Sequence, residues 1–181
     1  MLTCRVPRFA ALLVLAAAVL AGCTGSTSVS SPTPAVSVTT ASPTPTLSEG
    51  QKAANDVVVK YRALIDELRA QYKPDSAQLL AVARDDAYNK WSRVFQDDFV
   101  SGYHQTGLAL LAIKSTDPGK SARQWLVAGC LDVTKVDIVD KSGKTTLEHP
   151  GGINHIVYTV DQDATSLRWY VMSETFDGAT C

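Results

Sequence analysis

The sequence predicts an α+β domain in which N-terminal helices pack on one face of a curved antiparallel sheet. Two observations carry this. Apolar residues recur at three- and four-residue steps between Ala54 and Phe95, and after Gly107 the period drops to two while β-branched residues become common. Helices first and strands after is the order of an α+β fold, whereas strict alternation of the two would signal a parallel sheet.

The first helix opens at Ser48-Glu49-Gly50-Gln51, an S-x-x-Q capping box. Ala54, Val57, Val58, Tyr61, Leu64, Ile65, Leu68 and Tyr72 form its apolar stripe, with Lys52, Lys60, Arg62, Asp66 and Arg69 expected opposite, toward solvent. Lys73-Pro74 ends it, because proline disfavours a helical residue before it. A second capping box, Asp75-Ser76-Ala77-Gln78, opens a stripe of Leu79, Leu80, Ala83, Ala87, Trp91, Val94 and Phe95. A strict four-residue step drifts around a helix, so a break is expected near Arg84-Asp85-Asp86, and Ser101-Gly102 should finish the segment.

Five strands are then expected. Residues 108–113 are short and apolar, stopped by Thr116-Asp117-Pro118-Gly119. Residues 123–131 place Trp125 and Val127 on one face and Leu126, Ala128 and Cys130 on the other. Residues 133–139 alternate up to the turn Lys141-Ser142-Gly143-Lys144, and Pro150-Gly151-Gly152 leads into residues 153–160. The polar tip Asp161-Gln162-Asp163-Ala164 precedes residues 167–176.

Upstream of the domain, Arg5 and Arg8 precede an apolar run of about twelve residues, the length of a signal-peptide core and too short to span a bilayer. It closes on Leu20-Ala21-Gly22-Cys23, which resembles a bacterial lipobox. The resemblance implies that residues 1–22 are a lipoprotein signal peptide, that cleavage falls before Cys23, and that Cys23 is S-acylated, as by palmitate. The chain is then expected outside the cytoplasm, its partner the cell membrane through the lipid anchor. Removing residues 1–22 removes Arg5 and Arg8 and no acid, so 17 basic against 18 acidic side chains becomes 15 against 18, a net charge of −3. Such a chain has no basic patch with which to bind nucleic acid.

Residues 24–47 hold six Ser, seven Thr and four Pro and no charge. This composition cannot bury enough apolar surface to offset its ordering entropy, so residues 23–47 are expected to form a disordered tether carrying the lipidated cysteine. It would reach roughly 75 Å as polyproline II, or roughly 25–30 Å as a coil. The domain proper is residues 48–181.

With Cys4 in the signal and Cys23 lipidated, Cys130 and Cys181 remain. One disulfide is the simplest reading in an exported protein, two free buried thiols being the alternative. Closing a loop of about fifty residues contributes roughly 4 kcal/mol in the chain-entropy picture.

Trp125 through Cys130-Leu131-Asp132, the stretch Val136-Asp137-Ile138-Val139-Asp140-Lys141-Ser142-Gly143, Arg168-Trp169-Tyr170-Val171 and Cys181 together carry a resemblance. The chain, over roughly residues 48–181, is similar to small actinobacterial cell-envelope lipoproteins with an NTF2-like (SnoaL-like) cone. In these a strand cysteine pairs with one at the C-terminus. The resemblance implies a pocket between the helices and the concave sheet, where enzymatic relatives of the dehydratase and isomerase kind project His, Asp and Tyr.

Candidates for chemistry are few. His104 and His149 fall in polar loops, and only His155 falls on a strand, sharing a face with Val157 and Thr159 and lacking an evident acidic partner. Asp85-Asp86 and Asp97-Asp98 are adjacent, so on a helix their members point about 100° apart and suit solvated faces. No metal-ligand spacing, nucleophile elbow or phosphate loop occurs. Catalytic residues, metal and cofactor are therefore all expected to be none. Tyr61, Trp91, Phe95, Phe99, Trp125 and Trp169 either line a ligand-binding cavity or fill the core. The sequence thus leads to a non-enzymatic, lipid-anchored envelope protein displaying a small domain to an envelope or incoming partner. A carrier or sensor of a small apolar ligand, a phage-type superinfection-exclusion lipoprotein and, last, a dehydratase-type enzyme are the alternatives.

Overall fold

The computed structural model describes residues 46–149 and 151–181. The expected signal peptide, lipidation at Cys23 and the tether up to residue 45 lie outside the described residues. Helix α1 (Glu49–Arg69) starts on the capping box: the Ser48 hydroxyl accepts from the Gln51 backbone N–H at 3.3 Å, and the Gln51 side chain accepts from Ser48 N–H at 2.9 Å. The Gln51 amide also donates to the Thr116 carbonyl at 2.8 Å, tying the helix start to the sheet. The helix stops at Arg69, short of Tyr72, which is exposed.

The second helical pattern breaks where expected. A 3-10 turn (Ser76–Ala81), capped by the Asp75 carboxylate on Ala77 N–H at 3.1 Å, is followed by α2 (Asp85–Ser101). Residues 82–84 leave the helix because the sheet takes their backbone: Arg84 N–H donates to the Val171 carbonyl at 3.0 Å, and Val171 N–H to the Val82 carbonyl at 2.9 Å. Gly102 ends α2 in the left-handed region at φ 72°, where glycine carries no Cβ penalty.

Strands β1 (His104–Thr106) and β4 (Asp137–Val139) form a two-stranded ribbon. Strands β2 (Leu110–Pro118), β3 (Gln124–Asp132), β5 (Ile153–Gln162) and β6 (Trp169–Phe176) form an antiparallel sheet in the order β2-β3-β5-β6. Register shifts at Ile113/Ser115 and Thr159/Val160 bend it, as bulges do. The result is an α+β fold with helices on one face of a curved sheet, consistent with the NTF2-like kind. No helix among the described residues is long and apolar enough to cross a membrane.

Three strand expectations need correction. The stretch Thr116-Asp117-Pro118, expected to stop the strand at residues 108–113, is instead paired with Val127, Leu126 and Trp125 as the end of β2. Residues 133–139 do not form one strand: Asp132 Oδ1 accepts from Thr134 N–H at 2.9 Å, and Val136 N–H donates back to the Val133 carbonyl at 3.1 Å, so the chain turns before β4. The loop around His104 supplies β4's partner, β1. Their approach depends on Gly107 (φ 74°), where a Cβ would meet the Lys135 carbonyl oxygen at 1.9 Å.

Val127, Leu131, Ile156, Tyr158, Val160 and Val171 face the helices and form one core with Ala54, Val58, Tyr61, Ile65, Leu68, Ala87 and Phe95. Cys130 and its register partner His155 lie on the opposite face. The Cys130–Cys181 disulfide is present, with Cα atoms 5.8 Å apart. Beyond β6 the chain doubles back across this outer face, and Asp177 Oδ1 sits 2.8 Å from His155 Nδ1. The last residues thus strap β6 to β3 across β5. Asp177 also accepts from Ala179 N–H at 2.9 Å, and this bond, then His155, holds its carboxyl below the usual range.

Peptide mapping under non-reducing conditions is expected to yield Cys130 joined to Cys181, and reduction to lower the thermal midpoint by roughly 10–20 °C. Two freely alkylated thiols in the folded protein would contradict this. Because Asp177's folded pKa is depressed, the strap's carboxylate contribution is full above the unfolded carboxylate value of about 4 and is lost as pH falls through the lower folded value. The protection factor of the Ala179 amide, taken against its intrinsic exchange at each pH, should therefore fall below about pH 4, and Asp177→Asn should remove that acid dependence; a wild-type profile in the variant refutes the assignment.

Candidate functional site

The chemically richest place in the domain is its interior, where α1 and α2 meet β6. Glu174 projects inward from β6 with its side chain 1% exposed. Its Oε1 accepts from Trp91 Nε1 at 2.9 Å and from Lys90 Nζ at 2.8 Å, both on α2. Its Oε2 lies 3.9 Å from Arg62 Nη1 on α1. Arg62 reaches Asp66 Oδ1 at 3.6 Å, one turn along the same helix. Asp66 in turn accepts from Gln105 Nε2 and from Ala109 N–H, each at 3.0 Å. Gln105 accepts from Arg69 Nη1 at 3.3 Å, and Arg69 Nε donates to Asp98 Oδ2 at 3.0 Å. The guanidinium carbons of Arg62 and Arg69 each stand 5.5 Å from the Trp91 ring centroid.

Arg62, Arg69 and Lys90 therefore face Asp66, Asp98 and Glu174, three cations against three anions. That balance makes burial tolerable, since an unpaired charge in this interior would be expelled or neutralised. Tyr61 and Tyr158 pack edge-to-face at 6.1 Å beside it. Their hydroxyls, Glu174 Oε2 and Arg62 Nε are buried without a hydrogen-bond partner. Tyr61's hydroxyl is near enough to Glu174 to feel its charge but falls short of hydrogen-bond geometry. Burial first, then Glu174, pushes the Tyr61 phenol above its ordinary value; burial does the same at Tyr158. Both remain neutral O–H groups.

Chemically, this arrangement is a strut. A general base needs its lone pair within hydrogen-bond reach of a substrate proton. Glu174 gives Oε1 to two donors and faces Arg62 with Oε2, and its nearly covered side chain lies at the bottom of a surface groove formed with Asp86, Asn89, Lys90, Arg93 and Val94. Among the described residues no three His, Cys, Asp or Glu side chains gather to hold a metal ion.

The cluster was hidden from sequence reasoning by one wrong face. Arg62 and Asp66, expected opposite the apolar stripe, are 6% and 5% exposed because α2 and β1 cover that side of α1. Asp98, expected on a solvated face, pairs with Arg69. Two signals were available: the Arg62–Asp66 spacing of four, and Glu174 as a lone acid in a strand of large residues.

The six candidate aromatics do not converge on one cavity. Tyr61, Trp91 and Phe95 are buried in the core, and Trp125 and Trp169 pack at its edge. Phe99 is exposed and shares a groove of about 490 Å³ with Tyr72, Lys73, Gly102 and Lys141. A further groove of about 570 Å³ runs along Arg84, Asp85, Asp161, Asp163, Tyr170 and Met172. Arg84 is spent there, its guanidinium 3.9 Å over the Tyr170 ring and bonded to the Leu80 and Ala83 carbonyls. His104 stacks on Tyr72 at 4.3 Å and His149 is exposed. His155 lies on the face away from the helices, and its acidic partner is Asp177, from a segment whose return no spacing announced.

No family model matches the chain, and no curated protein does. Among solved structures, the domain is similar to the crystal structure of the intermembrane space region of chloroplast protein ARC6, with a TM-score of 0.53 at 16% identity over 75% of this chain and 100% of that one. At that identity the likeness concerns the fold alone.

Glu174→Ala should destabilise the domain by about 3–5 kcal/mol in chemical denaturation, because Arg62 would remain buried without its counter-charge. Replacing Arg62→Met, Asp66→Asn and Glu174→Gln together, which leaves none of these buried charges unpaired, should recover most of that loss. A single-variant effect under about 0.5 kcal/mol contradicts the strut.

Proposed function

We propose that the chain is an exported lipoprotein of the NTF2-like envelope type, anchored through Cys23, whose domain works by contact and not by catalysis. The observation that carries the non-catalytic part is the interior: where enzymatic cones expose their acids and bases to a substrate, the charged groups of Glu174, Arg62 and Asp66 are turned toward one another and nearly covered. A stable Cys130–Cys181 pair suits an oxidising compartment. The basic head, short apolar run and Leu20-Ala21-Gly22-Cys23 supply the address, and the uncharged Ser/Thr/Pro stretch supplies the distance between anchor and domain.

In this reading the domain projects from the outer face of the membrane and meets a partner in the envelope or arriving from outside. Cys23→Ala should abolish lipidation and either accumulate uncleaved precursor or release the protein from the membrane fraction. Fractionation with mass measurement of the N-terminal peptide checks this. Unchanged membrane association without precursor would overturn the anchor.

A further inference from the structure

The groove formed by Tyr72, Lys73, Phe99, Gly102 and Lys141 combines two exposed aromatic side chains with two lysines. Tyr72 and Phe99 are 47% and 46% exposed, and Val100 beside them is more exposed still. Large apolar side chains grouped in this way mark contact surfaces more often than single exposed ones do. Lys141 lies along the floor, crossing the Gly102 backbone so closely that a Cβ there would meet its Cε at 2.6 Å.

Charge decides what the groove accepts. Neither Lys73 nor Lys141 has an ion-pair partner among the described residues. The acids nearby are engaged: Asp98 pairs with Arg69, and Asp140 gives Oδ1 to the Ser142 hydroxyl and to the Ser142 and Lys144 amides. The ends of α1 and α2 both lie here, joined by the Arg69–Asp98 pair, and each helix C-terminus contributes about half a negative charge. The lining of the groove itself thus carries two ammonium groups and no acid, on a domain that is otherwise weakly acidic.

Position adds a second argument. The tether joins at Ser48, the start of α1, whereas Tyr72 and Lys73 follow its end. The helix has 21 residues, so the groove stands roughly 30 Å along the axis from the point of attachment.

We propose that this groove docks a partner protein through a segment carrying carboxylates beside an aromatic or large aliphatic side chain. The apolar side chain lies against Tyr72 and Phe99, and the carboxylates pair with Lys73 and Lys141. An aromatic centre with a charged rim is the usual anatomy of a transient protein interface. The proposal rests on the display reading above and names the partner's chemistry.

The test uses the mature protein and three synthetic peptides: one phenylalanine flanked by two aspartates, its asparagine isostere, and its alanine analogue. Chemical-shift mapping with the first is expected to cluster on Tyr72, Phe99, Gly102 and Lys141. Affinity should fall about tenfold with either control peptide, and about tenfold for Lys73→Glu combined with Lys141→Glu. Phe99→Ser should weaken binding at an unchanged thermal midpoint. Shifts elsewhere, equal affinity for the isostere, or insensitivity to the lysine changes would overturn the proposal. So would binding of phosphatidylglycerol vesicles at the groove in preference to the peptide. The Cys23→Ala protein should bind the peptide like wild type, so loss of anchoring and loss of docking are read separately.

Discussion

Glu174 is met inside this domain by Arg62, Lys90 and Trp91, and the placement of both helices follows from that contact. Arg62 comes from α1, Lys90 and Trp91 from α2, and Glu174 from β6. The pairing therefore fixes the two helices against the sheet at one point, and Asp66, Gln105 and Ala109 extend the restraint to β1 and the chain leading to β2. Apolar burial supplies most of the driving force in such a core, but it is non-directional. The charged groups choose the register, since sliding either helix by a turn would leave a buried charge without its partner.

The same constraint explains which parts of the fold were legible in the sequence. Capping chemistry is local, so Ser48, Gln51 and Asp75 announced their helix starts, and Gly102 its helix end. Alternation gave β3, β5 and β6 closely, because one face of each meets the core. Residues 133–139 were misread because alternation alone cannot tell a strand from a turn that begins on Asp132 and Thr134. Arg62 and Asp66 were misread because a helix covered on two sides has no solvent face at those positions, and only tertiary packing decides that. The pairing of Cys130 with Cys181 followed from cysteine count, whereas the approach of Asp177 to His155 depends on a return of the chain that no local pattern encodes.

Strap and strut act at different scales toward a single end. The strut holds the helices, and the strap holds the far edge of the sheet through Cys181 and Asp177. Together they make a domain whose interior is committed to its own stability. Under the display reading, specificity then belongs to the outer surface. The Tyr72–Phe99 groove stands at the end of α1 remote from the tether and combines apolar faces with unpaired cations.

The central claim is that the space between helices and sheet is filled by the protein's own charged and aromatic side chains. Native mass spectrometry of the protein isolated from its native source tests this most directly. The account predicts a mass equal to the mature polypeptide with its lipid anchor and one disulfide. A retained small apolar molecule, displaced when Ala87 is replaced by Phe, would contradict it and make the interior a binding site.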